Sequence, residues 1–357
     1  MKRIRVLIAE DSLTVRQHLM DVFGADREFE LVGEAADGKQ AIELCQKLRP
    51  DVVTMDMMMP IMTGLAATEY IMAHCPTPIL IVSSSTNRGE LFRTYEALAA
   101  GAVDVLEKPT AEGPDGEWER RLLDAARLVS RIRVITHPRA RLRDPARAPP
   151  AAAAASAARV ADGAKVVAIG ASTGGPSAIV EVLRGLPIEF RLPILLVLHI
   201  NEPFGAAFAD WLDGQTGRRV SHPADGDPIA SVVGRVAMAP GGMHLVVRQG
   251  RLRLTRDPER HSCRPSVDTL FESVASEFGA AGAAALLTGM GRDGAAGLLA
   301  IRQAGGWTIA QDEATSTIFG MPREAIELGA ARQVLPVGEI GSALAALDPD
   351  LASRRLV

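Results

Sequence analysis

The stretch VVAIGASTGGPSA, residues 166–178, decides the fold of the second half of the chain. Its apolar residues lead into a glycine, then Ser172, then two more glycines and a helical pattern. A buried strand that turns sharply into a helix is the repeating unit of a parallel α/β sheet. The same letters fit the G-x-S-x-G pattern of an exposed serine, although a serine N-cap gives them equally well. The spacing does not fit the Rossmann G-x-G-x-x-G loop, and the Gly-Lys-Ser/Thr of a P-loop is absent.

Two further strands end in residues that could act with Ser172. LPILLVLHI, residues 192–200, carries His199 at its end, and AAALLTGMGRDGAAG, residues 283–297, runs into a glycine loop with Asp293. The carboxyl ends of parallel strands share one edge of a sheet, so these side chains are expected to meet there. Together they offer a nucleophile, a base and a residue that orients the base. Their order along the chain differs from that of an ordinary α/β-hydrolase.

Two other histidines are weaker candidates for the base. His244 lies in an apparent hairpin, and His261 precedes an apparent helix. We interpret both as structural residues or residues at the substrate edge, while a catalytic role stays open. Residues 218–257 alternate valine with polar residues and glycine turns, which predicts antiparallel ribbons.

The first half of the chain shows the same strand–helix alternation. Five short runs rich in valine and isoleucine indicate buried parallel strands, so a second doubly wound sheet is expected. These runs are RVLIA (5–9), FELVGEA (29–35), DVVTMD (51–56), PILIVSS (78–84) and AVDVLEK (102–108).

Charged and hydroxyl residues collect at the ends of these strands. Glu10 and Asp11 follow the first strand, and Asp56 ends the third. Three carboxylates at one edge suit a hard cation such as Mg²⁺. Asp56 is then a candidate nucleophile toward a phosphoryl group, with Ser83 and Lys108 binding the transferred phosphate.

Composition limits what the whole chain can be. It has 357 residues, 47% of them hydrophobic, and a net charge of −4, which favours two or more globular domains and gives no reason to expect nucleic-acid binding. No apolar run is long enough to cross a membrane, and three widely separated cysteines indicate reduced thiols and a cytoplasmic protein. Residues 136–163, rich in Pro, Ala and Arg, are predicted to form a flexible linker.

The motifs AEDS, MDMMMP and EKP resemble those of response-regulator receiver domains, over residues 1–122. The resemblance implies phosphorylation of Asp56 by a histidine kinase. It also implies Mg²⁺ binding by Glu10, Asp11, Asp56 and the backbone carbonyl of Met58. Ser83 and Lys108 become the switch residues. Receivers usually carry an aromatic residue where this chain has Val105.

The second half resembles the catalytic domain of chemoreceptor protein-glutamate methylesterases, with predicted bounds 164–348. The motifs are VAIGASTGGP, MAPGGMHL, HSCRPSVDTLF and LLTGMGRDGAAG. The resemblance implies a Ser172–His199–Asp293 triad, with Thr173 and Met290 flanking the oxyanion region. Leu198 stands where the family often has glutamine.

What the resemblance implies is hydrolysis of glutamyl methyl esters and deamidation of certain glutamines on methyl-accepting chemoreceptors, regulated by phosphorylation. No cofactor is predicted for the catalytic domain. The alternative is a regulatory binding protein, in which the receiver controls a partner and the second domain is a vestigial esterase.

Overall fold

The chain folds into two compact units, Met1–Ala148 and Pro149–Val357. The computed structural model describes residues 2–84, 88–109, 116–132, 134, 163–200 and 204–354. Each unit contains a parallel sheet with helices between its strands, so the predicted α/β class is confirmed. The division falls inside the predicted linker, 136–163, which apart from Gly163 lies outside the described residues.

The first unit has five parallel strands in the order β2-β1-β3-β4-β5, the arrangement expected of a doubly wound sheet. All five predicted runs form strands: β1 Ile4–Ala9, β2 Phe29–Ala35, β3 Val52–Met55, β4 Ile79–Ser83 and β5 Asp104–Glu107. The helices between and after them are α1 Leu13–Ala25, α2 Gly38–Leu48, α3 Gly64–His74, α4 Arg88–Ala99 and α5 Glu117–Val129.

The last helix of this unit runs past the predicted domain end at residue 122. Leu122, Ala126 and Val129 of α5 are completely buried in the core that they form with β1, β3 and β4. They recur at the three- and four-residue spacing of one helix face, so the whole of α5 is needed to cover this side of the sheet.

The second unit has seven parallel strands in the order β14-β13-β12-β6-β7-β9-β8. These strands are β6 Val166–Ala171, β7 Ile194–Leu198, β8 Val220–Ser221, β9 Val236–Met238, β12 Gly282–Leu286, β13 Trp307–Gln311 and β14 Gln333–Leu335. A separate hairpin joins β10 His244–Arg248 to β11 Arg251–Thr255. The helices are α6 Gly175–Arg184, α7 Phe204–Thr216, α8 Val267–Phe278, α9 Ala295–Gln303, α10 Met321–Glu327, α11 Val337–Ala345 and α12 Pro349–Arg354.

The antiparallel ribbons expected over residues 218–257 form only in part. β8 and β9 lie in this range but join the main sheet in parallel, β9 beside β7. All three residues of β9 are buried, which suits a strand inside a parallel sheet rather than a half-exposed ribbon. β10 and β11 are the only two strands in this range that pair antiparallel, beside an isolated antiparallel bridge between Pro228 and Arg251. The Val247 backbone N–H donates to Ser273 Oγ on α8.

Within the described ranges, no helix has both the length and the apolar composition needed to cross a membrane.

Candidate active site

Ser172 lies directly after β6, in the turn that leads into α6. Its backbone N–H donates to the Thr288 carbonyl at 3.0 Å, and its own carbonyl accepts from Gly175 N at 2.7 Å. Gly174 makes the turn possible with a φ of +78°, where a side chain would also collide with Thr317. The turn leaves Ser172 half-buried at the end of the sheet, beside the N-terminus of a helix.

His199 lies one residue past the end of the neighbouring strand. β6 and β7 pair with Ala171 opposite Leu198, and the His199 backbone N–H continues the ladder to the Ala171 carbonyl at 3.0 Å. Sheet pairing therefore places Ser172 and His199 on adjacent strand ends. Leu198, only 2% exposed, packs beside Gly175 in the first turn of α6.

Asp293 fixes one side of the His199 ring. Its Oδ2 lies 2.8 Å from His199 Nε2, and because an ionised carboxylate only accepts, Nε2 carries the proton. Three donors from the start of α8 hold the same carboxylate: Ser266 Oγ at 2.8 Å and the backbone N–H groups of Val267 at 2.7 Å and Asp268 at 3.1 Å. The carboxylate is thus buried, oriented and charged.

The two partners shift each other's pKa in opposite directions. Burial alone would raise the pKa of Asp293, but the hydrogen bond and charge of His199 bring it below its usual value. Burial alone would lower the pKa of His199, whereas contacts with Asp293 and Cys263 raise it to about 9. Because Asp293 occupies Nε2, Nδ1 is the ring nitrogen that can accept a proton, and it lies 3.7 Å from Cys263 Sγ. Among the described residues, no hydrogen bond joins Ser172 Oγ to the ring.

The glycine loop after β12 closes the site beside Ser172. A Cβ on Gly289 would lie 2.8 Å from the Ser172 Cβ, so a side chain at position 289 has no room beside Ser172. Met290 follows it and is 54% exposed. Thr288 Oγ1 donates to the Thr173 carbonyl at 3.0 Å, which ties the Ser172 turn to this loop.

His244 and His261 both have other partners. Nδ1 of the buried His244 accepts from Ser266 N at 3.1 Å, and its Nε2 faces the Pro258 carbonyl at 3.3 Å. His261 Nε2 lies 3.1 Å from Asp268 Oδ2, while Arg292 Nε donates to His261 Nδ1. Both ring nitrogens of each histidine are engaged, and the Ser266 contact gives His244 a part in shaping the segment that holds Asp293.

The first unit has a second cluster of polar residues at the ends of its strands. Carboxylate oxygens of Glu10, Asp11 and Asp56 lie within 4.8 Å of one another. Lys108 Nζ contacts Glu10 Oε2 at 2.9 Å and Asp56 Oδ1 at 3.0 Å. Burial, with repulsion from Asp56, raises the pKa of Glu10 to about 7, and burial also raises that of Asp56. The cluster has more buried negative charge than one lysine neutralises.

Ser83 does not reach this cluster through its hydroxyl. Ser83 Oγ donates to Glu90 Oε1 of α4 at 2.9 Å and accepts from Thr94 Oγ1 at 3.2 Å. The side chain is completely buried in this arrangement. Binding of a phosphoryl group by Ser83 therefore requires the Glu90 hydrogen bond to break.

Comparisons with known proteins cover both units. Residues 167–344 match the family model "CheB methylesterase", and residues 6–114 match "Response regulator receiver domain". Protein-glutamate methylesterase/protein-glutamine glutaminase 2 of Anaeromyxobacter dehalogenans is 47% identical over 96% of each chain. A Nitrosospira multiformis protein with the same name, without a number, is 40% identical over 99% of each chain. The chain belongs to the family of protein-glutamate methylesterases/protein-glutamine glutaminases.

The solved structures that are similar to this chain include one of a methylesterase catalytic domain. The crystal structure of the Thermotoga maritima CheB methylesterase catalytic domain is 35% identical, with 98% of its length and 52% of this chain covered and a TM-score of 0.49.

The structure shows further residues around His199 and Asp293 that sequence reasoning missed. Cys263, Ser266 and Asp268 all lie in the HSCRPSVDTLF motif, and the structure brings them to His199 and Asp293. Ser266 could be read from the sequence as the N-cap of α8, since its Oγ accepts from Thr269 N. Its second bond, to Asp293, has no signal in the sequence because the two residues come together only in the fold.

Proposed function

We propose that this chain hydrolyses glutamyl methyl esters, and deamidates certain glutamines, on methyl-accepting chemoreceptors. The observation that carries the proposal is the position of His199, which lies beside Ser172 across paired strand ends and is held through Nε2 by the buried Asp293. This is the arrangement of a nucleophile, its base and the residue that orients the base. The names of the relatives supply the substrate class.

Each residue of the proposed triad then has a role in the reaction. Ser172 attacks the ester carbonyl and gives its proton to His199 Nδ1, while Asp293 stabilises the imidazolium that forms. His199 gives the proton to the methoxide oxygen, which leaves as methanol, and water later hydrolyses the acyl-enzyme to release the glutamate from Ser172. The hydrogen bond between serine and histidine is commonly loose before substrate binds, so its absence here is compatible with this sequence of steps.

The oxyanion of the tetrahedral intermediate needs backbone donors close to Ser172. We assign the Thr173 N–H, in the turn into α6, to this role because the N-terminus of a helix also favours negative charge. Met290 follows Gly289, which lies so close to Ser172 that a side chain would not fit, so we assign the Met290 segment to the opposite side of the oxyanion region.

We further propose that Asp56 accepts a phosphoryl group from a histidine kinase and thereby regulates the esterase. Glu10, Asp11 and Asp56 fit Mg²⁺, because they cluster closely and two of them are buried with excess negative charge. The ion would supply positive charge to the phosphoryl oxygens. Lys108 already contacts Asp56 and would bind the product, while the Met58 carbonyl and Ser83 stay predictions from the resemblance.

The alternative function, a receiver-controlled binding protein with a vestigial esterase, is not favoured by the names of the relatives. The cytoplasmic location stays a prediction from the cysteines.

The test is methanol release from a methylated chemoreceptor by the full chain with a phosphodonor. Ser172→Ala is expected to lower turnover by about 10⁴-fold or more, because members of a triad act as a unit. Ser177→Ala is the matched control, since Ser177 lies on α6 and its hydroxyl donates to Gly174 O. A fluorophosphonate probe should label the wild type and Ser177→Ala but not Ser172→Ala. A Ser172→Ala variant with more than a tenth of wild-type turnover would exclude the proposed nucleophile.

A further inference from the structure

Cys263 lies against Nδ1 of His199, the nitrogen that accepts the Ser172 proton in the proposed mechanism. Its Sγ is 3.7 Å from His199 Nδ1, and its other polar contact is the His261 carbonyl at 3.4 Å. Asp293 occupies the opposite nitrogen, Nε2. When the thiol proton points to the His261 carbonyl, a sulfur lone pair and the Nδ1 lone pair face each other.

Such a pair supplies two of the four ligands of a tetrahedral site for a soft cation. Zinc binds sulfur at about 2.3 Å and imidazole nitrogen at about 2.0–2.1 Å, so a tetrahedral angle separates the two ligand atoms by about 3.6 Å. The observed separation is 3.7 Å. Neither side chain has to move for one ion to bind both.

The surroundings of His199 match those of a metal-binding histidine. Such a histidine donates its second ring N–H to a carboxylate, which fixes the ring and strengthens the metal bond. Asp293 does this at 2.8 Å and is itself held by Ser266 and the first backbone N–H groups of α8. Cys263 is half-exposed, so an ion can enter from solvent and complete its coordination with water.

We propose that Cys263 and His199 form an inhibitory site for Zn²⁺, a second activity-controlling site that is independent of phosphorylation. The inference rests on the proposed esterase mechanism. Zinc bound at Nδ1 takes the lone pair that would accept the Ser172 proton, so hydrolysis stops until the ion leaves. Binding releases the Cys263 thiol proton to solvent, and below the His199 pKa of about 9 it also releases the Nδ1 proton, while no electron is transferred. Thiolate and imidazole select Zn²⁺ over Mg²⁺, which prefers the carboxylates of the first unit.

Inhibition is measured on the full chain as methanol release during a Zn²⁺ titration, with Mg²⁺ in large excess. Each variant is compared with its own rate without zinc. Wild type and Cys75→Ala are expected to be inhibited alike and restored by EDTA, because Cys75 is buried in the other unit. Cys263→Ala is expected to need at least tenfold more zinc. Equal zinc sensitivity of Cys263→Ala and wild type would overturn the proposal.

A spectroscopic readout separates this proposal from the proposed function. Co²⁺ used in place of zinc should give a thiolate-to-metal charge-transfer band in the near ultraviolet with wild type, Cys75→Ala and the esterase-defective Ser172→Ala. The band should be absent with Cys263→Ala. If the band forms but the wild type releases no methanol, the metal site stands and the esterase proposal fails. If wild type gives no band, the metal site is wrong whatever the esterase activity.

Discussion

Asp293 caps α8, the helix that contains Asp268, and Asp268 in turn accepts from the first turn of α9, the helix that follows Asp293. Asp293, in the loop before α9, accepts from the backbone N–H groups of Val267 and Asp268 at the start of α8. Asp268, in the first turn of α8, accepts from Gly297 N of α9 at 2.6 Å. The two carboxylates are almost completely buried. Each therefore accepts hydrogen bonds from helix N–H groups that have no partner within their own helix. The geometry at His199 is therefore built into the packing of two helices.

The same substitution at these two positions should separate catalysis from stability. Asp293→Asn removes the charge that holds the His199 tautomer, and we expect turnover to fall by about 10³- to 10⁴-fold. Asp268→Asn disturbs the same helix pair without touching His199, and we expect turnover within about tenfold of wild type. Both should lower the free energy of unfolding by about 1–3 kcal/mol.

Methanol release and urea unfolding of both variants provide the measurement. An Asp268→Asn turnover as low as that of Asp293→Asn would show that helix packing, rather than the histidine contact, accounts for the loss.

Activity should depend on pH through His199. Only the neutral ring accepts the Ser172 proton, and the pKa of this histidine is raised to about 9. The kcat/KM of the full chain is therefore expected to rise as pH increases toward and through that value. Removing Asp293 or Cys263, which both raise the pKa, should move the rise to lower pH. A profile of Cys263→Ala that coincides with that of wild type would contradict the assigned contact.

The free energy of unfolding should fall at high pH, where kcat/KM rises. A histidine whose pKa is raised on folding, from 6.5 to about 9, stabilises the fold fully below 6.5 and loses that contribution as pH rises through 9. The lowered pKa of Asp293 gives stability that is present above 3.8 and lost as pH falls through its folded value. Both shifts describe one interaction, so its contribution is counted once. Unfolding of wild type and Asp293→Asn across this range measures it.

Phosphorylation should require Asp56. Asp56→Asn is expected to take no phosphoryl group from a small-molecule donor with Mg²⁺ and to lose any donor-dependent rise in methanol release. In wild type that rise is expected to be roughly 5- to 150-fold, the usual range of coupling between sites. Asp51→Asn is the matched control, because Asp51 precedes the same strand, where it accepts from Arg5 N and pairs with Lys2. Equal labelling of Asp56→Asn and wild type would contradict the assignment.

The sequence predicted the features of the fold and of the candidate site that depend on local hydrophobic patterns. Val/Ile-rich runs located all five strands of the first unit, and strand-end reasoning placed His199 next to Ser172 and Asp293 against His199. Apolar runs fill parallel strands, and parallel strands end at one edge, so these predictions follow from the sheet and from the loops that leave that edge.

What the sequence did not predict depends on contacts between distant segments. The place of β9 in the main sheet, the contact of Cys263 with His199 and the bond of Ser83 to Glu90 all arise from packing. A three-residue apolar strand such as β9 looks the same in a ribbon or a sheet, since its burial on both faces is a property of its neighbours.

Gly289 should be sensitive to the addition of a single methyl group, although less so than the catalytic residues. An alanine Cβ there would lie 2.3 Å from Met321 Sδ and 2.8 Å from the Ser172 Cβ. The backbone cannot move away, because Gly289 N donates to Ile318 O and Gly289 O accepts from Met321 N at 2.9 Å. Met321 is completely buried, which restricts its side chain, so we expect Ser172 to shift. A shift of the nucleophile by about 1 Å can cost about 100-fold in rate, and overpacking costs about 1–3 kcal/mol in stability.

Gly214→Ala is the matched control for this substitution. Gly214 lies in α7 of the same unit, and nothing is within 4 Å of the position its Cβ would take. Alanine there should stabilise the helix by about 0.5–1 kcal/mol and leave methanol release unchanged. Fluorophosphonate labelling of Ser172, followed well below the melting temperature of each variant, separates a displaced serine from an unfolded chain. A folded Gly289→Ala variant that is labelled at the wild-type rate would show that Met321 yields instead, and that the close approach of Gly289 does not position the nucleophile.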